Sequence, residues 1–160
     1  MGIIGASESG KSYLLDVFSG RAKFSGSIEF NSKIQKFLTY CPSKNNLDLS
    51  MTPDEMINYL CKIQGYRSEE SEFVLFLQNQ ITGYLLYRFG LIGFRNKQIS
   101  KLSVDNQKKI SLAICTIGNP NIILLDNVTA GLEESSKKMI IKFIQTLKSW
   151  NKTVLITSHR

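Results

Sequence analysis

The sequence predicts an α/β fold, a parallel sheet covered on both faces by helices, and three observations carry that expectation. Short apolar strands alternate with helical patterns at both ends of the chain. The stretch Ile122-Ile123-Leu124-Leu125 is apolar without alternation, as a strand buried on both faces must be. The middle, residues 53–117, reads as helical. With 160 residues, 42% hydrophobic and 21% charged, the chain suits one domain burying about 68–70% of its unfolded surface, far from disordered or fibrous composition. No uninterrupted apolar run reaches the roughly 18 residues of a membrane span, and no charged lead precedes an apolar signal core. Met1-Gly2 opens like a myristoylation site, but Ala6 stands where Ser or Thr is required.

Each element has a local reason. Ile3-Ile4 closes a short strand that runs into a Gly-rich loop, after which Lys11 to Ser19 places Leu14, Leu15 and Phe18 at helical spacing. Ser27-Ile28-Glu29-Phe30 and Phe37-Leu38-Thr39-Tyr40 read as strands, the second ended by Pro42 and the polar run Ser43 to Asn46. Thr52-Pro53-Asp54-Glu55 starts a helix: Thr52 can cap, Pro53 suits the first turn, and Glu55 can reach back to the Thr52 amide. Met56, Leu60 and Ile63 then share one face. Residues 68–81 open with acids and carry Phe73, Phe76, Leu77 and Ile81 as a second amphipathic helix. From Ser103 a helix bears Ile110, Ala113, Ile114 and Ile117 until Gly118-Asn119-Pro120 stops it. The apolar strand Ile122–Asp126 follows. Next comes a helix with Met139, Phe143 and Leu147 opposite Lys137, Lys138, Lys142 and Lys148, and Thr153 to Thr157 is the last strand. The expected organisation is an α/β core over residues 1–52 and 118–160 around a helical subdomain over 53–117.

Cys41, Cys61 and Cys115 are odd in number, widely spaced and without a C-x-x-C, which fits neither a disulfide scaffold nor a zinc site and points to a reducing cytosol. The net charge of +7 sits in the second half, where Arg88, Arg95, Lys97, Lys101, Lys108 and Lys109 are opposed only by Asp105. Such a cluster is either a solvated face or a surface for nucleic acid, lipid headgroups or a partner.

Gly5-Ala6-Ser7-Glu8-Ser9-Gly10-Lys11-Ser12 fits G-x-x-x-x-G-K-[ST] at every defined position and lies between strand and helix, where that motif must lie. Glycine at both ends lets successive amides point inward and the helix N-terminus adds partial positive charge. Lys11 reaches the β- and γ-phosphates, and Ser12 is placed to hold Mg²⁺. A magnesium-bound nucleotide also calls for an acid at the end of a buried strand facing the loop, and Asp126 meets that need.

Taken with Tyr40-Cys41-Pro42, Leu102-Ser103, Thr129-Ala130-Gly131-Leu132 and Thr157-Ser158-His159, these residues resemble the nucleotide-binding domain of ABC transporters over nearly the whole chain. Leu49–Glu55 and Ala113–Pro120 are most similar to the A subfamily, whose members mostly move lipids. The resemblance implies a P-loop NTPase three-layer core with a helical subdomain insert, truncated at both ends, and a preceding adenine-stacking aromatic that this stretch does not include. It implies ATP and Mg²⁺ as cofactors and a site on the cytosolic face of a membrane. The implied partners are a second nucleotide-binding domain, head to tail, and transmembrane domains. Gly5, Ala6, Ser7, Glu8, Ser9, Gly10, Lys11, Ser12 and Tyr13 would contact nucleotide, with Ser12 and Asp126 on the metal. His159 would contact the γ-phosphate, and Ser103 would reach the partner's nucleotide.

Departures from the family pattern are as informative. Asn127 stands where the family's Glu polarises the attacking water; an amide cannot take a proton, and losing a general base costs about 10²–10⁴-fold in rate. Ser43 replaces the magnesium-sensing Gln with a shorter side chain. The signature Leu-Ser-Gly-Gly becomes Leu102-Ser103-Val104-Asp105, putting side chains, one of them anionic, where backbone should approach phosphate. Gly131-Leu132-Glu133-Glu134 lengthens the acid at the dimer seam. Glu8 replaces a common Gly, a change that G-protein α subunits tolerate.

These features leave a transporter motor that hydrolyses ATP, a regulatory half that binds ATP but barely turns it over, and a decayed chain. A G-protein reading fails because Asn96-Lys97-Gln98 is followed by Ile99, not by an acid that reads guanine. Nucleic-acid binding is not expected, since only Tyr87, Phe89 and Phe94 interleave with the basic residues.

Overall fold

The computed structural model describes residues 1–29, 38–65 and 72–158, the side chains of 72–75 excepted. Two compact units make up the chain, one formed by Met1–Asn45 with Asn119–Arg160, the other by Asn46–Gly118.

The first unit is built on a four-stranded sheet in which every pairing is parallel. Strand β1 (Gly2–Ile4) lies beside β4 (Thr153–Ser158), β4 beside β3 (Ile122–Asp126), and β3 beside β2 (Leu38–Cys41), so the order is β1-β4-β3-β2. The register brings the strand ends level: Ile4 pairs with Ser158, Asp126 with Thr157, and Cys41 with Leu125. The loops that leave β1, β2 and β3 therefore emerge at one carboxyl edge, the position where open parallel sheets place ligands. Strand β3 is buried from Ile123 to Asp126, as its unbroken apolar run requires. Helix α1 (Lys11–Phe18) packs on β3 through the fully buried Leu15, worth about 2 kcal/mol of burial. Helix α5 (Glu134–Ser149) packs on β4, burying Ser136, Ile140, Phe143 and Leu147. Its apolar stripe thus runs through Ile140, while Met139 is only half-buried.

Ser27, Ile28 and Glu29 form no strand, a correction to the expectation from their alternation. They follow Gly26 at φ +114° and pair with no strand among the described residues, and three alternating residues without a partner have no ladder to join. Phe30 and Phe37 lie outside the described residues.

In the second unit, helix α2 (Pro53–Ile63) begins with the expected reciprocal cap: Thr52 Oγ1 accepts from the Glu55 amide at 3.2 Å and Glu55 Oε2 accepts from the Thr52 amide at 2.8 Å. Its buried face is Pro53, Met56, Ile57 and Cys61, so the stripe is rotated from Met56-Leu60-Ile63 and Ile63 is exposed. Helix α3 (Glu72–Arg88) continues past residue 81, through Gly83, because Leu85 and Leu86 are buried and hold its last turns in place. Its buried residues also include Gln78 and Thr82, whereas Phe76 is exposed. Thr82 Oγ1 donates to Asn58 Oδ1 at 2.9 Å, Asn58 donates to Asp54, and Arg95 forms an ion pair with Asp54 at 2.6 Å, a polar chain linking α2, α3 and the loop beyond. Two short 3-10 turns, residues 92–94 and 99–101, lead to helix α4 (Val104–Ile114), capped by Ser103 and ending in turns before Gly118.

Candidate functional site

At the carboxyl edge of the sheet, the loop between β1 and α1 is shaped by its two glycines for different reasons. A Cβ on Gly5 would stand 3.0 Å from Ser9 Oγ, a tight approach that would displace the Ser9 hydroxyl from the Lys11 ammonium it binds. Gly10 caps α1 at φ +86°, a left-handed conformation that a side chain disfavours, and it offers no side-chain acceptor to the first helical amides. Those amides remain available to an anion at the helix N-terminus, where the dipole favours negative charge. Glu8 also adopts a left-handed backbone, φ 61°, without being Gly.

Inside the curl, the nearly buried Lys11 ammonium donates to Gly5 O at 2.9 Å, Ala6 O at 2.5 Å and Ser9 Oγ at 3.2 Å. All three ammonium donors are thus engaged by the loop, which fixes the cation in place. Any phosphate must exchange with one of these bonds, and a charged acceptor is the stronger partner.

The loop meets β3 through one carboxylate. Asp126, 2% exposed, accepts at Oδ1 from Ser12 Oγ at 3.0 Å and from Thr157 Oγ1 at 2.6 Å. Thr157 Oγ1 in turn accepts from the Asn127 amide at 3.0 Å, and Thr157 O takes the same amide at 3.2 Å. A buried carboxylate beside a hydroxyl, both hard oxygen donors, fits Mg²⁺, which takes one or two protein oxygens and completes its shell with phosphates and water. No group of three metal-ligating side chains is present among the described residues, and such a site does not need one.

These groups face one cavity of about 580 Å³, lined by Ser7, Glu8, Gly10, Lys11, Ser12, Tyr13, Ser43, Lys44, Asp126, Asn127 and Thr157. Gly5, Ala6 and Ser9 bear on it through their bonds to Lys11. Tyr13 lines its edge while its hydroxyl donates to Lys23 O at 2.6 Å. Asn127 has φ 50°, a left-handed backbone that Asn accepts more readily than Glu. Ser103 belongs to the other unit, where its Oγ accepts from the Asn106 amide at 3.3 Å. His159 lies outside the described residues.

Two members of the cavity wall went unnoticed as site residues in the sequence. Thr157 is a buried hydroxyl directly after the apolar run Val154-Leu155-Ile156, and that break in pattern is its signal. Lys44 has none, being one more polar residue in the run after Pro42. Behind the wall, the Tyr40 phenol is pushed above its usual range by burial, by the charges of Asp126 and Asp16, and by its hydrogen bond to Asp16; Arg21, 5.0 Å over the ring, opposes the shift. Tyr40 is therefore neutral at physiological pH, and its bond to Asp16 fastens the end of β2 to α1.

Known proteins resemble the chain over most of its length. The family model described as ABC transporter matches residues 1–130. ABC transporter A family member 11 of Dictyostelium discoideum is 29% identical over 99% of the chain, which spans 19% of that relative. The glucosylceramide transporter of Homo sapiens is 26% identical over 99% of the chain, which spans 6% of it. An ABC transporter ATP-binding protein of Bacillus subtilis, YhaQ, is 26% identical over 99% of the chain, which spans 53% of it. In each case the chain covers less than two thirds of the relative's length. Among solved structures, an ABC transporter in an inward-facing conformation superimposes with a TM-score of 0.78 over 99% of the chain and 62% of its own, at 20% identity, a likeness of fold.

Proposed function

The chain belongs to the ABC transporter family, and from that premise we propose that it is an A-subfamily-like ATP-binding domain that couples nucleotide binding to the transmembrane movement of a substrate, most fittingly a lipid. One observation carries the proposal: Ser12, at the end of the phosphate loop, donates to the buried Asp126 carboxylate from 114 residues away, on the floor of the cavity that holds Lys11. Lipid as cargo is supported by the relatives, one of which is named a glucosylceramide transporter. No described helix is long and apolar enough to cross a membrane; the reading calls for transmembrane domains, in the same or another chain, and for a second nucleotide-binding domain.

The residues divide the work by chemistry. Lys11 and the first amides of α1 would bind phosphate oxygens, and Ser12 and Asp126 would hold magnesium, which would neutralise phosphate charge. Thr157 keeps Asp126 oriented. Asn127 can hydrogen-bond a water but cannot take its proton, which favours a second reading: a regulatory half that binds ATP and hydrolyses it slowly beside a competent partner.

Equilibrium binding of a fluorescent ATP analogue in Mg²⁺ tests the proposal. The wild-type chain should bind, and Lys11→Ala should weaken binding about 100-fold, the scale of a lost charge-assisted contact. An unaltered melting curve for the variant would separate lost binding from lost folding. A wild-type chain that failed to bind millimolar nucleotide, or a Lys11→Ala chain that bound equally well, would overturn it. Phosphate release beside a competent partner domain separates the two readings: turnover at the phosphate loop of this chain supports the motor, binding without turnover the regulatory half.

A further inference from the structure

We propose that Lys44 is a second triphosphate-binding cation, directed to the terminal phosphate and able to sustain nucleotide binding when magnesium is withheld; the inference rests on the ATP-binding reading above. Lys44 lines the same cavity as Lys11, Ser12 and Asp126. It is exposed and takes part in no ion pair or hydrogen bond among the described residues, whereas Lys11 is held by three acceptors of its own loop. Of the two cations on the cavity wall, Lys44 is the one that can move to a ligand without breaking a bond.

Its place in the fold selects the end of the triphosphate. Strand β2 pairs with β3 at Cys41 and Leu125, so the chain leaving β2 through Pro42 and Ser43 passes the sheet edge beside Asp126. Asp126 and Ser12 mark the metal-bound end of the phosphates, and Lys44 lies three residues beyond Cys41, which pairs with Leu125, the neighbour of Asp126. The charges lining the cavity are Glu8 and Asp126 against Lys11 and Lys44. Without Lys44 the wall would be net negative toward an anion carrying several charges. Ser43, too short to replace an amide that reaches the metal, is thus followed by a long cationic side chain that can reach the phosphate instead. Magnesium and a lysine neutralise the same oxygens, so the contribution of Lys44 should be largest when the metal is absent.

Binding of fluorescent ATP and ADP analogues to the intact chain, in Mg²⁺ and in EDTA, tests this with four variants. Lys44→Ala should weaken ATP binding about 10-fold in EDTA and about 2-fold in Mg²⁺, and should change ADP binding less than 2-fold in either. Lys44→Arg should retain ATP binding in EDTA. Lys97→Ala removes the same charge from the other unit and should have no effect beyond that of net charge; Lys11→Ala should weaken both nucleotides about 100-fold. The inference is overturned if Lys44→Ala behaves like Lys97→Ala, or if it weakens ATP and ADP equally. Failure of the wild type to bind any nucleotide would overturn the ATP-binding reading itself, an outcome distinct from ATP binding that is indifferent to Lys44.

Discussion

Glu8 combines backbone strain with an unfavourable charge, and two substitutions can separate them. At φ 61° it occupies a conformation that costs a residue with a Cβ about 1–2 kcal/mol. Glu8→Gly removes that cost, while the greater freedom of Gly in the unfolded chain takes back about 0.4–1 kcal/mol. The net gain is about 0.5–1 kcal/mol, or about 1–4 °C in melting temperature for a chain of this length. Glu8 is also one of the residues lining the cavity proposed to hold the triphosphate. At ~8 Å in water each pair of like charges costs about 0.5 kcal/mol, and several phosphate charges, screened by 0.1 M salt, bring the sum to about 1 kcal/mol, a five-fold effect on affinity. Thermal denaturation without nucleotide and ATP binding at low and high salt read the two effects separately. Glu8→Gly should melt higher and bind ATP more tightly; Glu8→Ala, which keeps the Cβ, should bind more tightly without melting higher. Equal melting temperatures for the two variants would refute the strain, and weaker ATP binding by both would refute the electrostatic argument.

Two further outcomes follow from the geometry. Asn127→Glu should raise phosphate release by up to about 10²–10⁴-fold when the chain is mixed with a domain carrying an intact Leu-Ser-Gly-Gly signature, at a stability cost of about 1 kcal/mol for placing Glu at φ 50°; no gain in that assay would mean that the missing base is not what limits the site. Thr52→Ala should cost about 1 kcal/mol in urea denaturation through loss of the reciprocal cap on α2, with ATP affinity unchanged, and a loss under 0.3 kcal/mol would show the cap to be idle.

The sequence made the phosphate loop legible because its chemistry is local: two glycines, a lysine and a hydroxyl at fixed spacing between a strand and a helix. Asp126 was legible because a run of four apolar residues ending in an acid is a simple pattern. The site's connections were less so. Thr157 meets Asp126 only through strand register, and Lys44 reaches the cavity only because β2 ends beside β3, facts of pairing that no short window of sequence contains. The helices of the second unit show the same limit. In α3 the buried positions include Gln78 and Thr82 while Phe76 is exposed, so polarity and burial point in opposite directions and the apolar count alone stopped the helix near residue 81. Thr82 is accommodated by its bond to Asn58 on α2, a partner 24 residues away. Likewise the spacing of Met56, Leu60 and Ile63 in α2 predicts a face that the structure keeps only at Met56, with Ile57 and Cys61 filling the interior.

A crystal structure of the chain grown with ATP and magnesium tests the central claim most directly. The account predicts the triphosphate lying against the amides that begin α1, with Lys11 turned from its loop carbonyls toward phosphate and the metal between Ser12 Oγ and Asp126. Nucleotide bound elsewhere, or a cavity still closed around Lys11 at saturating ATP, would contradict it.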